Sequence, residues 1–300
     1  MTGLADLHRH LDGSLRRSTL EELAASGGIT LPPEVGFREG MGLDAALAQF
    51  AVTLSVLQEA RAVRRVAAEM CEDAVREGVT TLEIRFAPQL HRGGAIEEIA
   101  DAALEGIDGR AGLILCGLYG EPPAVLEGLV EVARTRLGVV GIDLAGGPSP
   151  GHAVSLGDYR DAFVRAAELG IGRTVHASEG RPPSEIRIAV ETLGAQRLGH
   201  ATTLLEDPRV VELVVARGIT IEACPTSNVH TGVIASVAKH PLPHWLDRGV
   251  RACINTDNTL LSAVDAPEEH RRVRAIPGMD DEKMARAIAF GHVARFRRGQ

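Results

Sequence analysis

The stretch Leu4-Ala5-Asp6-Leu7-His8-Arg9-His10-Leu11-Asp12-Gly13-Ser14 decides how the rest of the chain is interpreted. Its first four residues are apolar enough for a short buried strand, and Gly13 interrupts the pattern. Side chains two apart on a strand share a face, so we expect His8 and His10 to point into one space. Two imidazoles beside a carboxylate can hold a divalent metal. An isolated pair of this kind is more often one core and one exposed histidine, so a metal site needs further ligands from elsewhere.

Composition disfavours several classes of protein. The 300 residues are 45% hydrophobic but only 3% aromatic, which is typical of closely packed parallel strands and helices. The net charge of −8 disfavours nucleic acid and anionic membrane surfaces as partners. The four cysteines lie far apart without a C-x-x-C motif, which indicates core residues in a reducing compartment. Charges near the amino terminus are atypical of a signal peptide, and no apolar run reaches the ~18 residues of a membrane span, so we expect a soluble cytoplasmic protein.

The rest of the chain alternates short apolar runs with amphipathic segments. Eight runs are predicted strands, at 4–7, 80–86, 113–118, 139–145, 172–176, 197–200, 220–224 and 251–255. Strands that alternate with helices, without a linker, predict one α/β domain over residues 1–300 with the (β/α)8 TIM barrel fold. The largest surplus lies between strands 1 and 2, and we expect residues 12–79 to form a helical insertion over the barrel mouth.

In such barrels the reactive side chains collect at the carboxyl ends of the strands. Those ends carry His8 and His10 on strand 1, His176 on strand 5 and Asp257 after strand 8. Three imidazoles and a carboxylate, with one open position for water, are typical of a catalytic zinc site, although iron, cobalt or manganese would accept the same donors. We therefore predict one zinc ion per chain. Arg85, at the end of strand 2, is interpreted as the structural partner of a carboxylate near that strand.

Two further groups at this rim are candidates for proton transfer. Glu179 follows His176 by three residues, and a carboxylic acid near an activated water can shuttle a proton. The alternative is a glutamate that stabilises a helix amino terminus. His200 ends strand 6 and is interpreted as orienting the attacking water, with a fifth metal ligand as the alternative. The only lysines, Lys239 and Lys283, are far from strands 1–5, which excludes a lysine-bridged site with two metals.

Taken together, these stretches resemble the adenosine deaminase family of the amidohydrolase superfamily. The matching segments follow the family order and cover the whole barrel: 6–14, 141–146, 175–179, 199–201, 224–228 and 255–258. The resemblance implies that zinc is held by His8, His10, His176 and Asp257. It implies that Glu179 protonates N1 of a purine, and that His200 and Asp257 align and deprotonate the water that attacks C6. The implied substrate contacts are His10, Asp12 at the sugar, the Gly146 backbone at N3, and Asn258 at N7.

The chain departs from the family pattern in three places. Asn258 stands where a second acidic residue is usual, but an amide can donate a hydrogen bond to N7 without being protonated. The chain ends sooner after its last helix than is typical. The loop 146–150 lacks the acidic pair that often follows the glycine. The last two departures bear on the identity of the substrate more than on the chemistry.

The predicted function is zinc-dependent hydrolysis of the 6-amino group of an adenine nucleoside, which converts adenosine or deoxyadenosine to the inosine product and ammonia. Deamination of 6-aminodeoxyfutalosine in menaquinone synthesis, or of free adenine, is the close alternative. A metal-dependent esterase or amidase on the same barrel is less favoured, because it has no use for Glu179. A non-catalytic binder is disfavoured by the complete set of candidate ligands, acid and base.

Overall fold

The computed structural model describes residues 3–147 and 152–298. Residues 148–150 of the loop 146–150 therefore lie outside the described residues. Eight parallel strands follow one another around a single sheet in chain order. The TIM-barrel fold class predicted from the alternating pattern is confirmed. No helix among the described residues is both long enough and apolar enough to cross a membrane.

The strand bounds agree with the predicted ones to within three residues. The strands are β1 Leu4–His10, β2 Val79–Phe86, β3 Gly112–Leu118, β4 Val139–Ala145, β5 Gly172–Ala177, β6 Arg197–His200, β7 Thr220–Ala223 and β8 Arg251–Ile254. The helices are α1 Arg17–Ser26, α2 Leu43–Val56, α3 Ala60–Arg76, α4 Ile96–Ile107, α5 Pro123–Arg134, α6 Arg160–Glu168, α7 Ser184–Glu191, α8 Pro208–Ala216, α9 Pro225–His230, α10 Leu242–Asp247, α11 Ala266–Arg274 and α12 Asp281–Ala294.

The segment after β8 closes the barrel against β1. The backbone N–H of His10 donates to the carbonyl of Asp257 at 2.7 Å, and the N–H of Asp257 donates to the carbonyl of His8 at 2.8 Å. These two bonds hold Asp257 beside both histidines of β1. Closure of the barrel thus brings together residues that are almost 250 positions apart in the chain.

The three helices between β1 and β2 form the largest connection of the barrel. Side chains of α2, including Leu47 and Phe50, line a cavity together with His10 and Gly146 at the carboxyl ends of β1 and β4. The connection therefore contributes directly to the rim where the candidate site residues lie.

Candidate active site

Four donor atoms from three parts of the barrel converge at its carboxyl-terminal end. Nε2 of His10 lies 3.3 Å from Nε2 of His8 and 3.3 Å from Nε2 of His176. The Oδ1 atom of Asp257 is 3.5 Å from Nε2 of His8 and 3.4 Å from Nε2 of His10. The structure thus brings together the four residues that the sequence nominates as metal ligands.

These separations can be compared with those of a real coordination shell. Metal–donor bonds of about 2.0–2.2 Å place the donors of a tetrahedral zinc site about 3.3–3.6 Å apart. The Nδ1 atoms of His8 and His176 face carboxylates, so in the neutral rings the Nε2 atoms carry the lone pairs. Burial keeps His8 neutral by lowering its pKa well below the ordinary value. Lone pairs that face one another and a carboxylate are repulsive without a cation, so the donor set fits a divalent metal.

A buried ion-pair network holds the two histidines from below. Nδ1 of His8 lies 2.7 Å from Glu222, and Nδ1 of His176 lies 3.1 Å from Asp143. Arg85 bridges the two carboxylates, at 2.8 Å from Asp143 and 2.7 Å from Glu222, and all three side chains are fully buried. Hydrogen bonds of this kind set the tautomer and orientation of ligating histidines. The prediction that Arg85 pairs with a carboxylate near β2 is wrong. Its carboxylate partners lie on β4 and β7, because the Arg85 side chain points into the barrel.

The backbone is strained at two candidate site residues, at the end of β6 and shortly after β8. His200 and Asp257 adopt φ angles of 64° and 63°, which non-glycine residues rarely adopt. Such a conformation costs about 1–3 kcal/mol and is found where a side chain must be aimed. The residue before His200 is glycine for a steric reason: a Cβ atom on Gly199 would lie 2.9 Å from Cε1 of His8, which is too close. A glycine before His200 therefore lets β6 pass the ring of His8.

Glu179, His10, His176 and Asp257 line one small cavity at the carboxyl end of the barrel, which we call the polar cavity after these side chains. The side chain of Glu179 is buried, and its Oε1 accepts hydrogen bonds from Asn228 at 3.3 Å and from Thr231 at 3.2 Å. Burial raises the pKa of Glu179 above its ordinary value, although neighbouring hydrogen bonds oppose the shift. Both donors come from α9 or the residue after it, which the sequence pattern did not identify. A buried carboxyl group with a raised pKa keeps its proton to a higher pH than an exposed one does.

His200 completes the polar wall of this cavity. Its Nδ1 lies 3.0 Å from the amide nitrogen of Asn228, and burial lowers its pKa to about 3. A neutral imidazole can accept a proton from water. Cys224, one of the four buried cysteines, is a further possible metal ligand by distance. Its sulfur lies within 4.8 Å of donor atoms of His200 and Asp257. Burial raises the pKa of this thiol well above its ordinary value, which disfavours the thiolate form that would bind a metal.

A larger, mostly apolar cavity of about 360 Å³ adjoins the polar one and shares His10, Phe50 and Gly146 with it. Asp12 lies in its wall, and its buried Oδ1 has no hydrogen-bond partner within the described part of the chain. Burial raises the pKa of this carboxyl to about 7. Asn258 lines the polar cavity, and its buried Oδ1 also has no partner among the described residues. Unpartnered polar atoms of this kind are available to a ligand.

Comparison with known proteins gives the chain its family. A family model described as adenosine deaminase matches residues 3–294. The chain belongs to the adenosine deaminase family. The adenosine deaminase of Klebsiella pneumoniae subsp. pneumoniae is 35% identical, over 98% of this chain and 93% of that protein. The adenosine deaminase of Shewanella denitrificans is 34% identical, over 94% of this chain and 90% of that protein.

Solved structures of deaminases and amidohydrolases have the same fold. The adenine deaminase of Arthrobacter aurescens has a TM-score of 0.87 and 27% identity, over 99% of this chain and 94% of that one. An amidohydrolase from Burkholderia ambifaria with bound zinc has a TM-score of 0.85 and 21% identity, over 98% of this chain and 85% of that one, which shows the fold alone. The family and the enzyme class predicted from the sequence, an aminohydrolase, are confirmed. The family also implies a divalent metal, whereas the roles assigned to individual residues stay predictions.

Proposed function

We propose that this member of the adenosine deaminase family hydrolyses the 6-amino group of adenosine or deoxyadenosine, with release of ammonia. The observation that supports the proposal most is the placement of a buried carboxylic acid, Glu179, in one small cavity with three of the four converging candidate metal ligands. Relatives about 35% identical over nearly the full chain are adenosine deaminases. Hydrolysis of an ester or amide needs no acid placed to protonate a ring nitrogen.

The proposed cofactor is zinc, held by donor atoms of His8, His10, His176 and Asp257. Zinc in such a site supplies a nucleophile at neutral pH, because it lowers the pKa of a bound water toward ~7. The spacing of the donors supports the proposal, as does the zinc in the related Burkholderia structure.

The residues around the metal position have separate proposed tasks. Glu179 gives its proton to N1 of the purine, which makes C6 more electrophilic. His200, neutral at physiological pH, accepts a proton from the attacking water together with Asp257. The water oxygen bonds to C6, and the amino nitrogen takes the proton held by His200 and Asp257 and leaves as ammonia when its bond to C6 breaks. The remaining proton on the C6 oxygen returns to Glu179, so that the product carries a proton on N1 and a carbonyl at C6. The raised pKa of Glu179 supports the first task. The lowered pKa of His200 keeps its ring neutral but also makes it a weak base, so the second task is supported by the position of its ring nitrogen within 4.8 Å of the Asp257 carboxylate.

The shape of the cavities favours a nucleoside over a nucleotide. The apolar cavity offers room for a sugar next to Asp12, and no described residue that lines either cavity is Lys or Arg. A phosphate on the sugar would face the Asp12 carboxyl in a cavity whose described lining residues carry no positive charge. Side chains of α2 form one wall, which supports the proposal that the insertion at 12–79 covers the barrel mouth and excludes water during the reaction.

The experiment that tests the proposed function is a comparison of 6-aminopurines with the purified protein, followed by ultraviolet absorbance. We expect kcat/KM to be largest for adenosine or deoxyadenosine and at least about 100-fold smaller for adenosine 5′-monophosphate, the range expected when a buried charge stays unpaired. Adenine is the second candidate, because the Arthrobacter relative in structure is an adenine deaminase. Consumption of adenine alone would replace the proposed substrate, and no turnover of any 6-aminopurine would refute the deaminase.

Metal analysis gives an independent prediction. The purified protein is expected to contain one zinc ion per chain, since the four converging donors of the described residues surround a single position and leave a further coordination position for water. Removal of the ion by a chelator should abolish adenosine turnover, and added zinc should restore it. Two ions per chain, measured by mass spectrometry or atomic absorption, would contradict the single site.

Asn258 is predicted to donate a hydrogen bond to N7 of the purine. Gly13 makes room for this amide, because a Cβ atom there would lie 1.8 Å from Oδ1 of Asn258. Replacement of Asn258 by alanine is expected to lower kcat/KM for adenosine about 3- to 10-fold, the net value of one hydrogen bond.

The wild type should lose a similar factor with 7-deazaadenosine, which lacks the N7 acceptor. The Asn258→Ala variant should then lose little further activity with 7-deazaadenosine. If the two losses multiply fully in this double comparison, Asn258 contacts another part of the substrate.

A further inference from the structure

A third cavity, of about 500 Å³, lies at the opposite end of the barrel from the two cavities of the candidate active site. Four of its lining residues begin neighbouring strands: Gly172 on β5, Arg197 on β6, Thr220 on β7 and Arg251 on β8. The chain after α12 forms the facing wall and contributes Arg295. The cavity therefore lies at the amino ends of the strands, remote from the metal donors at their carboxyl ends.

The charge of this cavity is opposite to that of the whole chain. Five arginines line it, and none of the described lining residues is Asp or Glu. The chain as a whole carries a net charge of −8. A concentration of cations in one concave site of an acidic protein focuses positive potential there. The arginines that line the cavity are Arg173, Arg197, Arg251, Arg295 and Arg297.

Three of these arginines have no carboxylate partner. Most arginines of the chain form ion pairs, but within residues 3–147 and 152–298 no carboxylate lies within 4 Å of Arg173, Arg251 or Arg295. Among the described residues, the Arg173 side chain donates only to the backbone carbonyls of Gly194 at 2.9 Å and Ile171 at 3.3 Å. Burial lowers its pKa, with no neighbouring carboxylate to offset the shift. A half-buried cation held by neutral acceptors is favourably placed to bind an anion.

Arg197 has a different role in the same wall. It pairs with Glu83 at 2.5 Å and with Glu222 at 2.7 Å, so its charge is neutralised from inside the barrel. Its guanidinium also lies 3.6 Å over the ring of Phe296, whose backbone N–H donates to Glu83 at 2.6 Å. These contacts hold the segment after α12 against the barrel. The wall that carries Arg295 is therefore anchored through Phe296.

We propose that this cavity binds a small phosphate-bearing anion. Arginine side chains match the oxygens of a phosphate group with paired, charge-assisted hydrogen bonds. The volume lies within the range of about 300–1,000 Å³ that is usual for small-molecule sites. A long nucleic acid does not fit the observations, because the positive charge is confined to one concavity of an acidic chain.

The test is calorimetric titration of the metal-loaded, full-length protein with inorganic phosphate at low ionic strength. We expect saturable binding of one anion per chain that weakens as salt is added. The double variant Arg173→Gln/Arg251→Gln should weaken binding about tenfold or more, as expected for the loss of charged hydrogen bonds. Arg295→Gln, which removes a side chain without recorded hydrogen bonds in the described structure, tests the same site with less risk to folding.

The matched control is Arg209→Gln, which changes the same charge in the first turn of α8, at the other end of the barrel. It should bind phosphate like the wild type. Ribose 5-phosphate forms a second arm: tighter binding than phosphate identifies a sugar phosphate as the ligand, and equal binding identifies the free anion.

Two results of the titration would overturn the proposal: no saturable binding of phosphate, or equal binding by the wild type and all cavity variants. A third is inhibition of adenosine turnover by phosphate in which the inhibition constant equals the Kd of phosphate and is the same in the wild type and the cavity variants. The third result would place the anion at the metal. None of these results bears on whether the protein deaminates adenosine.

Discussion

Replacement of Glu179 by glutamine is expected to lower kcat for adenosine about 10²- to 10⁴-fold, the usual contribution of a positioned general acid. Glutamine has nearly the same shape and can keep the hydrogen bonds to Asn228 and Thr231 by turning its amide. It cannot give a proton to a ring nitrogen. The loss should therefore fall on kcat, with a much smaller change in KM.

The measurement combines steady-state kinetics with metal analysis and thermal unfolding. Metal content should stay that of the wild type, because Glu179 contributes none of the four converging donors. Glu269→Gln is the matched control. This buried glutamate accepts a hydrogen bond from the backbone of Thr226 at 2.9 Å and lies outside both cavities, and burial raises its pKa to about 7. Near wild-type turnover by Glu179→Gln, with its metal intact, would remove Glu179 from the mechanism.

The pH dependence follows from the same carboxyl. Burial raises the pKa of Glu179, so its acid form persists to a higher pH than that of an exposed glutamic acid. Activity that depends on this proton is expected to fall as pH rises through that pKa. The alkaline limb of the kcat profile should be absent from the residual activity of Glu179→Gln.

The rim of the barrel was predictable because its signal is local. Each strand is a short apolar run, and His176 and His200 stand where such runs end. In a parallel barrel the ends of the strands meet at one rim, so these residues could be grouped without knowing any contact. Asp257 could be added for the same reason, although the bonds that hold it beside His8 and His10 became visible only in the structure.

The partners beneath the rim were not predictable in the same way. Arg85 and Glu222 are 137 positions apart, on strands that are not neighbours in the sheet. A charge in the middle of an apolar strand indicates a buried partner, but its identity depends on which residues face each other across the barrel. Asn228 and Thr231 lie in or after a helix of six residues, too short for a helical period to be recognised.

Arg85 provides the second large prediction, for both stability and metal binding. Replacement by methionine would leave Asp143 and Glu222 buried without the cation that bridges them. The loss of one partner from a buried ion pair costs about 3–5 kcal/mol, so we expect the free energy of unfolding to fall by about that amount. Burial alone would raise the pKa of Asp143, but His176 and Arg85 hold it well below the ordinary value. Without Arg85 that carboxyl should take up a proton more readily.

Metal affinity should fall with the same substitution. The two carboxylates orient His8 and His176 through their Nδ1 atoms, and changes in such outer partners usually weaken metal binding about 10- to 100-fold. Competition with a chromogenic chelator measures this affinity without reference to turnover. Excess zinc should then restore much of the lost activity in Arg85→Met, whereas it would not rescue Glu179→Gln.

Arg197→Met separates this effect on the metal from a general loss of stability. Arg197 is equally buried and also bridges two carboxylates, Glu83 and Glu222, but of these only Glu222 contacts a candidate ligand. We therefore expect a comparable fall in stability with a smaller fall in zinc affinity. If both variants lose affinity equally, the effect of Arg85 is only that of a weaker fold. If Arg85→Met alone loses affinity, the Arg85 guanidinium positions both histidines. Among the described residues it is the one cation that contacts both Glu222, the partner of His8, and Asp143, the partner of His176.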